Sequence, residues 1–560
     1  MNHSIVEQSL RETRLSMNDE RIDARTGRLE SWLVVGVLVL LAWLPVPLGS
    51  NRPWAVGILV FSVFMMTALW SINLLIRPMT RSQRQGLKLG MPLLGLLIAA
   101  QVWVGLQWFD GLSLHSGASL TSLLLGCAYA LLFLLVIGVF HTRRRLMLLL
   151  GLLVVSGTLQ AFYGAMSVLA GSDAWMLLGI DGAGHSHSAT GTFTNRNHLA
   201  GYLELTIAAG IGLLLALRDG QPFAWKSFAE LLIGPKARLR LALVVMVIGL
   251  VTTASRGGNS GFFIALLVIG MLFVLRFPQN RRRNMLILTS IIIIDLVIIS
   301  QYFGLERLRD RLVNTEVTVL FERDAADGEV ADRAETDGTG ILTDPRVSDD
   351  PDAIPFAEHS RDSSDNGLHM TGLMALQGFA AGDVERFVSG VDVFGSDRQD
   401  WRLTVDVNDM RGMIFHQAVP LIETLPWQGY GAGAFETTFM ALGDPGFRGR
   451  VDHAHNDYIQ FWVEYGAIGS TPLALFVLIS LTLALKALWN RESFFRSGVG
   501  FGASMGLLAI LIHSWTDYNL QIPANAATFV VICAVAVLAS THASNRRHTQ
   551  REFTRSVWGR

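Results

Sequence analysis

The chain has 560 residues, 51% hydrophobic and only 16% charged, where a soluble domain carries about 25% charged residues; a soluble globular enzyme is excluded and a polytopic membrane protein is expected. The formal net charge of −1 gives no reason to expect a nucleic-acid partner. Cys127 and Cys533 both fall inside apolar runs, which leaves neither a disulfide framework nor a thiolate metal site.

Residues 1–30 are polar and mixed in charge, without the apolar core and small-residue cleavage site of a signal peptide. They read as a cytoplasmic tail. Apolar runs of about the 20 residues needed to cross a bilayer then recur near 32–48, 54–76, 89–108, 120–140, 146–170, 198–217, 239–254, 260–277 and 285–303. Three more follow near 466–486, 498–513 and 523–540. The expected fold is therefore all-α and polytopic, with about twelve spans: spans one to nine in 31–303, spans ten to twelve in 456–540, and a second tail at 541–560. Short cytoplasmic loops are enriched in arginine and lysine. Such residues fill every second loop, at Arg77 to Lys88, Arg143 to Arg145, Lys226 to Arg240, Arg276 to Arg283 and Lys486 to Arg496. Both termini are expected on the cytoplasmic side.

A long outer loop spans 304–455. Its 321–366 portion is acidic and poor in aromatic residues, a composition that buries too little apolar surface to fold alone. From 411 to 439 the character changes. Ile414, Phe415, Val419, Ile422 and Leu425 suit one helix face, broken by Pro420 and Pro426, and the glycines at 429, 431 and 433 form a tight turn. An interfacial helix and a re-entrant turn are expected. No internal repeat is present, those glycines do not open a helix after a strand as a Rossmann site requires, and no P-loop supports an ATP-driven pump.

The outer loops hold few ionisable groups, and such residues beside lipid are costly enough to mark function. Arg196, between Asn195 and Asn197 at the start of span six, combines a guanidinium fork, amide donors and a positive helix terminus, which suits a phosphate. The alternative is a capped helix with a snorkelling arginine. Arg256, in Ser255-Arg256-Gly257-Gly258 between spans seven and eight, again suits an anion, with glycines permitting close backbone approach. Asp452 to Asp457, at the head of span ten, contains His453 and His455. His455 is a candidate base, with Asn456 or Asp457 orienting its ring. These histidines and carboxylates also suit zinc or manganese, but alternate residues share a face only in an extended chain, and the reading adopted has no metal. The polar turn 513–524 reads as a hydrogen-bonded wall of an outer cavity, and Asp295, inside span nine, has no assigned role.

His455-Asn456 followed by Gly466 and Gly469, with Phe193 to Leu203, Ser255-Arg256-Gly257, Arg411 and Pro426 to Phe435, resembles the bacterial O-antigen ligase and polymerase superfamily. The resemblance implies a GT-C-like integral-membrane glycosyltransferase of the inner membrane. Its members act at the periplasmic face on a glycan carried by undecaprenyl pyrophosphate, and pass it to lipid A-core or to a second lipid-linked unit, with no nucleotide sugar, metal or other cofactor. Carried onto this chain, Arg196 and Arg256 hold the pyrophosphate and His455 sits beside the acceptor hydroxyl. Asn195, Asn197, Arg411, Asn456 and Asp457 are the associated substrate-binding candidates. A flippase of the same lipid-linked glycan is the rival from another class, and it predicts charges near the bilayer midplane within broken helices.

Overall fold

The computed structural model describes residues 27–169, 188–217, 237–276, 285, 320–323, 401–404, 410–443, 450–490 and 493–541. The chain divides into two units, one of residues 1–316 and 407–560 and the other of residues 317–406. In the smaller unit, β1 (Leu320–Arg323) pairs antiparallel with β2 (Trp401–Thr404), Leu320 opposite Thr404. The acidic 321–366 stretch lies outside the described residues, apart from the strand residues at its start.

The larger unit is helical. Its elements are α1 (Arg28–Trp43), α2 (Pro53–Ile76), α3 (Arg81–Phe109), α4 (Ser116–Val139), α5 (Arg143–Leu169), α6 (Arg196–Ala216), α7 (Ala237–Thr252) and α8 (Arg256–Arg276). After the smaller unit come α9 (Met410–Thr424), α10 (Phe435–Leu442), α11 (Asp457–Leu488), α12 (Phe494–His513) and α13 (Pro523–Thr541). Among the described residues, nine helices are long and apolar enough to cross a membrane: α2 to α6, α8 and α11 to α13. The runs expected at 32–48 and 239–254 are the 16-residue α1 and α7, short of the roughly 20 residues of a full span; Pro45 and Pro47 follow the end of α1 closely. The run at 285–303 lies outside the described residues, except for the helical Met285, and Asp295 with it.

Local chemistry sets the helix starts. Thr80 and Gln83 form a reciprocal capping box ahead of α3, and Ser493 caps α12 through the Arg496 N–H. Helix α6 is the centre of the unit, buried from His198 to Ala216. It lies against α12 at backbone range, since a Cβ on Gly212 would come 2.8 Å from the Gly502 Cα. Small residues at such a crossing give close packing where lipid supplies no hydrophobic drive between helices.

At the end of the bundle opposite Arg196, a buried ionic cluster joins α1, α3, α4 and α5. Arg145 Nη1 donates to Glu30 Oε1 at 2.5 Å and to the Val139 carbonyl at 2.8 Å, and Gln83 Nε2 donates to the same Glu30 oxygen at 3.2 Å. The His141 Nδ1 lies 3.8 Å from that oxygen. Arg145, one of the basic-loop residues of the topology reading, is thus a neutralised interior cation.

Two expectations for 411–439 are revised. Pro420 lies inside α9 rather than breaking it; the bond it forfeits is to the carbonyl of His416, and both residues are exposed, where water can serve that carbonyl. The buried face is Ile414, Ala418, Leu421 and Leu425, which keeps Ile414 and Leu425 of the expected set and replaces Phe415, Val419 and Ile422. The glycine turn then packs on a break within α11. Gly466 stands at φ 60 and ψ −175, a region essentially reserved to glycine. The interruption frees backbone donors that the turn takes up: Ala467 N–H reaches the Pro426 carbonyl at 2.8 Å and Ile468 N–H the Trp427 carbonyl at 3.0 Å. Gly431 N–H returns a bond to the Glu464 carbonyl at 3.0 Å, and Gly433 N–H donates to Glu464 Oε2 at 2.9 Å.

Gly466→Ala is therefore expected to destabilise the fold by roughly 1–3 kcal/mol or more from the backbone conformation alone, and its Cβ would also meet the Trp427 carbonyl oxygen at 2.3 Å. Thermal unfolding in detergent measures this; an unchanged midpoint would contradict the stitched break.

Candidate active site

Four helix starts, those of α6, α8, α9 and α11, and one turn converge at the Arg196 end. Asn195 caps α6 by accepting the Asn197 N–H at 2.8 Å, which puts Arg196 at the first helical position, exposed. Arg256 stands likewise exposed at the first position of α8. Ser255 Oγ accepts the Gly258 N–H at 3.2 Å there. Positive helix termini reinforce both guanidinium groups as anion sites.

The turn after α12 ties these starts together. The His513 carbonyl accepts the Thr516 N–H at 2.9 Å and the Asp517 N–H at 3.1 Å, and the resulting turn buries Asp517, whose side chain is 1% exposed. A carboxylate out of water needs donors and cations around it. Asp517 has both: Oδ2 accepts from Asn197 Nδ2 and lies 3.6 Å from Arg411 Nη2. Oδ1 accepts the Tyr518 N–H at 2.9 Å and lies 3.9 Å from His455 Nδ1. Arg411 is braced further by donation from Nη1 to the Thr516 carbonyl at 2.8 Å.

His455 adopts φ 49, uncommon for a residue with a side chain. Its ring is partly open, 26% exposed, and stands edge-on to Tyr518 at 4.9 Å. Two further imidazoles meet the same phenol: His453 stacks flat on it at 4.1 Å and His198 meets it edge-on at 4.8 Å. Burial, seconded by Asp452 and Asp517, holds the Tyr518 hydroxyl far above its usual range, so it stays protonated at neutral pH.

Burial also lowers the pKa of His453 below 6.5, outweighing the opposing pull of Asp452. Gln460 faces the ring with Nε2 3.0 Å and Oε1 3.2 Å from His453 Nδ1, and its hydrogen bond, like Asp452, opposes the effect of burial. The unfolded chain then binds the proton more readily than the folded one. Stability attached to this ring is complete above pH 6.5 and falls as the pH drops below it. His453→Gln should flatten the loss of thermal stability below that pH, and an identical pH profile for the variant would exclude His453 as its source.

Asn456 and Asp457, expected to orient the His455 ring, are directed elsewhere. Asn456 Oδ1 caps α11 by accepting the Tyr458 and Ile459 N–H groups at 2.9 and 3.1 Å, and Nδ2 donates to the Trp515 carbonyl at 2.9 Å. Asp457 Oδ2 accepts from Ser514 Oγ at 2.7 Å and from the Leu520 N–H at 3.1 Å. Both fasten α11 to the 514–521 turn, and the carboxylate facing His455 is Asp517. The sequence signal for Asp517 was a carboxylate in a short turn between two apolar helices, which is costly unless paired. Among the described residues, no group of three or more His, Cys, Asp or Glu side chains is assembled as metal ligands would be.

Residues 370–474 match the family model described as O-antigen ligase, the family that the motifs resemble. The matched segment contains Arg411, the 429–433 turn, His455 to Asp457 and the break at Gly466; Arg196, Arg256 and Asp517 lie outside it. No curated protein matches the chain. The chain combines a set of helices apolar enough to cross a membrane with a segment that matches the O-antigen ligase family model.

Proposed function

We propose that this protein is an O-antigen ligase-type glycosyltransferase of the bacterial inner membrane, moving a glycan from undecaprenyl pyrophosphate to a hydroxyl of lipid A-core. Its site end faces the periplasm and both termini face the cytoplasm. The convergence on Asp517 of His455, Arg411 and Asn197, the neighbour of Arg196, carries this reading. It brings a titratable ring and cationic helix starts to one place.

In the proposed reaction the acceptor oxygen attacks the anomeric carbon as the bond to the pyrophosphate oxygen breaks. The acceptor proton passes to His455 Nε2, the nitrogen turned away from Asp517, and the carboxylate steadies the imidazolium formed. Charge growing on the departing pyrophosphate is met by Arg196 and Arg256. Fixed guanidinium groups favour the transition state over the ground state because the charge they oppose increases along the reaction. A single displacement inverts the anomeric configuration. Neither step calls on a metal.

Reconstitution with a defined undecaprenyl-pyrophosphate glycan and two acceptors tests this. Product on lipid A-core is the expected result. Product only on a second lipid-linked unit would make the protein a polymerase of repeat units, and product on neither would overturn transfer altogether.

A further inference from the structure

Beneath Asp517 lies a second pair of titratable groups that the reaction above does not use. Glu204, on α6, and His513, the last residue of α12, are 0% and 1% exposed, with His513 Nδ1 3.4 Å from Glu204 Oε1. Among the described residues neither carboxylate oxygen of Glu204 has a nearer polar partner. A buried carboxylate and imidazole that answer only each other are costly to place, and three features of the packing show what the pair holds.

The first is its register. Glu204 lies two helical turns beyond Asn197 on one stripe of α6, and His513 lies one turn before Asp517. Helix α6 therefore grips the end of α12 twice, Asn197 to Asp517 and Glu204 to His513. The second is the turn itself. The His513 carbonyl accepts the N–H groups of Thr516 and Asp517 and the Thr516 hydroxyl, the last at 3.2 Å, so rotation of this residue would carry Asp517 with it. The third is the seat of α8. A Cβ on Gly257 would fall 2.2 Å from Thr516 Oγ1 and 2.8 Å from His513 Cδ2, one on Gly258 3.1 Å from His513 Cε1, and one on Gly261 3.0 Å from Glu204 Oε1. The helix that begins with Arg256 rests directly on the pair.

We propose that Glu204 and His513 form a positioning pair that fixes Arg256, Asp517 and, through Asp517, His455 in one mutual register. Neither touches substrate. The pair sets how well the anion site and the base align on the reacting bond, so its loss acts on turnover rather than on donor affinity. This inference rests on the transferase reading above.

The test compares the full-length wild type, Glu204→Gln and the exchanged pair Glu204→His with His513→Glu, in proteoliposomes with the undecaprenyl-pyrophosphate glycan. Wild-type turnover is the control that separates the two ideas, since its absence rejects the transferase reading. Given wild-type turnover, Glu204→Gln is expected to lower kcat at least fivefold with KM for the donor changed less than twofold. A smaller loss of kcat, or a larger change in KM, overturns the pair's role. Should Glu204→Gln fail to yield folded protein by size-exclusion chromatography, the exchanged pair decides: turnover within fivefold of wild type supports the proposal, and its absence overturns it.

Discussion

Replacing His455 by alanine is expected to lower kcat by about 10²–10⁴-fold, the usual contribution of a general base, while leaving donor binding within a few-fold. The asymmetry follows from where the ring sits. It stands at the rim, 26% exposed and edge-on to Tyr518, whereas the candidate anion site is headed by Arg196 and Arg256 on other helices. Truncation removes an acceptor for one proton and leaves both guanidinium groups in place. Alanine also relieves little backbone strain, because a Cβ remains at φ 49. The measurement is single-turnover transfer beside donor binding, and undiminished turnover would remove His455 as the base.

Asp517→Asn is expected to reduce kcat on the order of 10²-fold or more, because it removes a charge on which the base His455, the cation Arg411 and the Asn197 amide all lean. The amide keeps the shape of the carboxylate and still accepts the Tyr518 N–H, so the turn is retained. What vanishes is the negative charge 3.9 Å from His455 Nδ1 and 3.6 Å from Arg411 Nη2, together with the acceptor that Oδ2 offers to Asn197 Nδ2. The imidazolium formed during transfer then loses the counter-charge of Asp517, and the half-buried Arg411 faces an amide. Asp517→Glu keeps the charge but lengthens the side chain in a site 1% exposed, so partial activity is expected. Equal activity of the Asn and wild-type proteins would reduce Asp517 to a hydrogen-bond acceptor within its turn.

Apolar run length made most of the helices legible from the chain, because bilayer thickness leaves the sequence little choice. Arg196, Arg256 and His455 stood out as candidates for the complementary reason: ionisable residues beside apolar runs are costly to place. Asp517 stood out only as part of a polar turn, since the contacts it makes come from positions 197, 411 and 455 folding onto it, which no local pattern encodes. The assignment of Asn456 and Asp457 to His455 failed on local chemistry that was available. An Asn immediately before a long helix is a cap first, and its amide is occupied by that task. Pro420 misled for another reason, because a proline whose i−4 carbonyl is exposed to water need not end a helix.

The cluster around Glu30 bears on the order in which this protein is assembled. Its principal cation, Arg145, lies 115 positions further along the chain. At ribosomal rates of about 5–20 residues per second, roughly 6–23 s separate the synthesis of the carboxylate from that of its arginine. During that interval the Glu30 carboxylate has the Gln83 amide but no arginine to answer its charge. The ion pair that closes this corner is completed only once the fifth helix has been made.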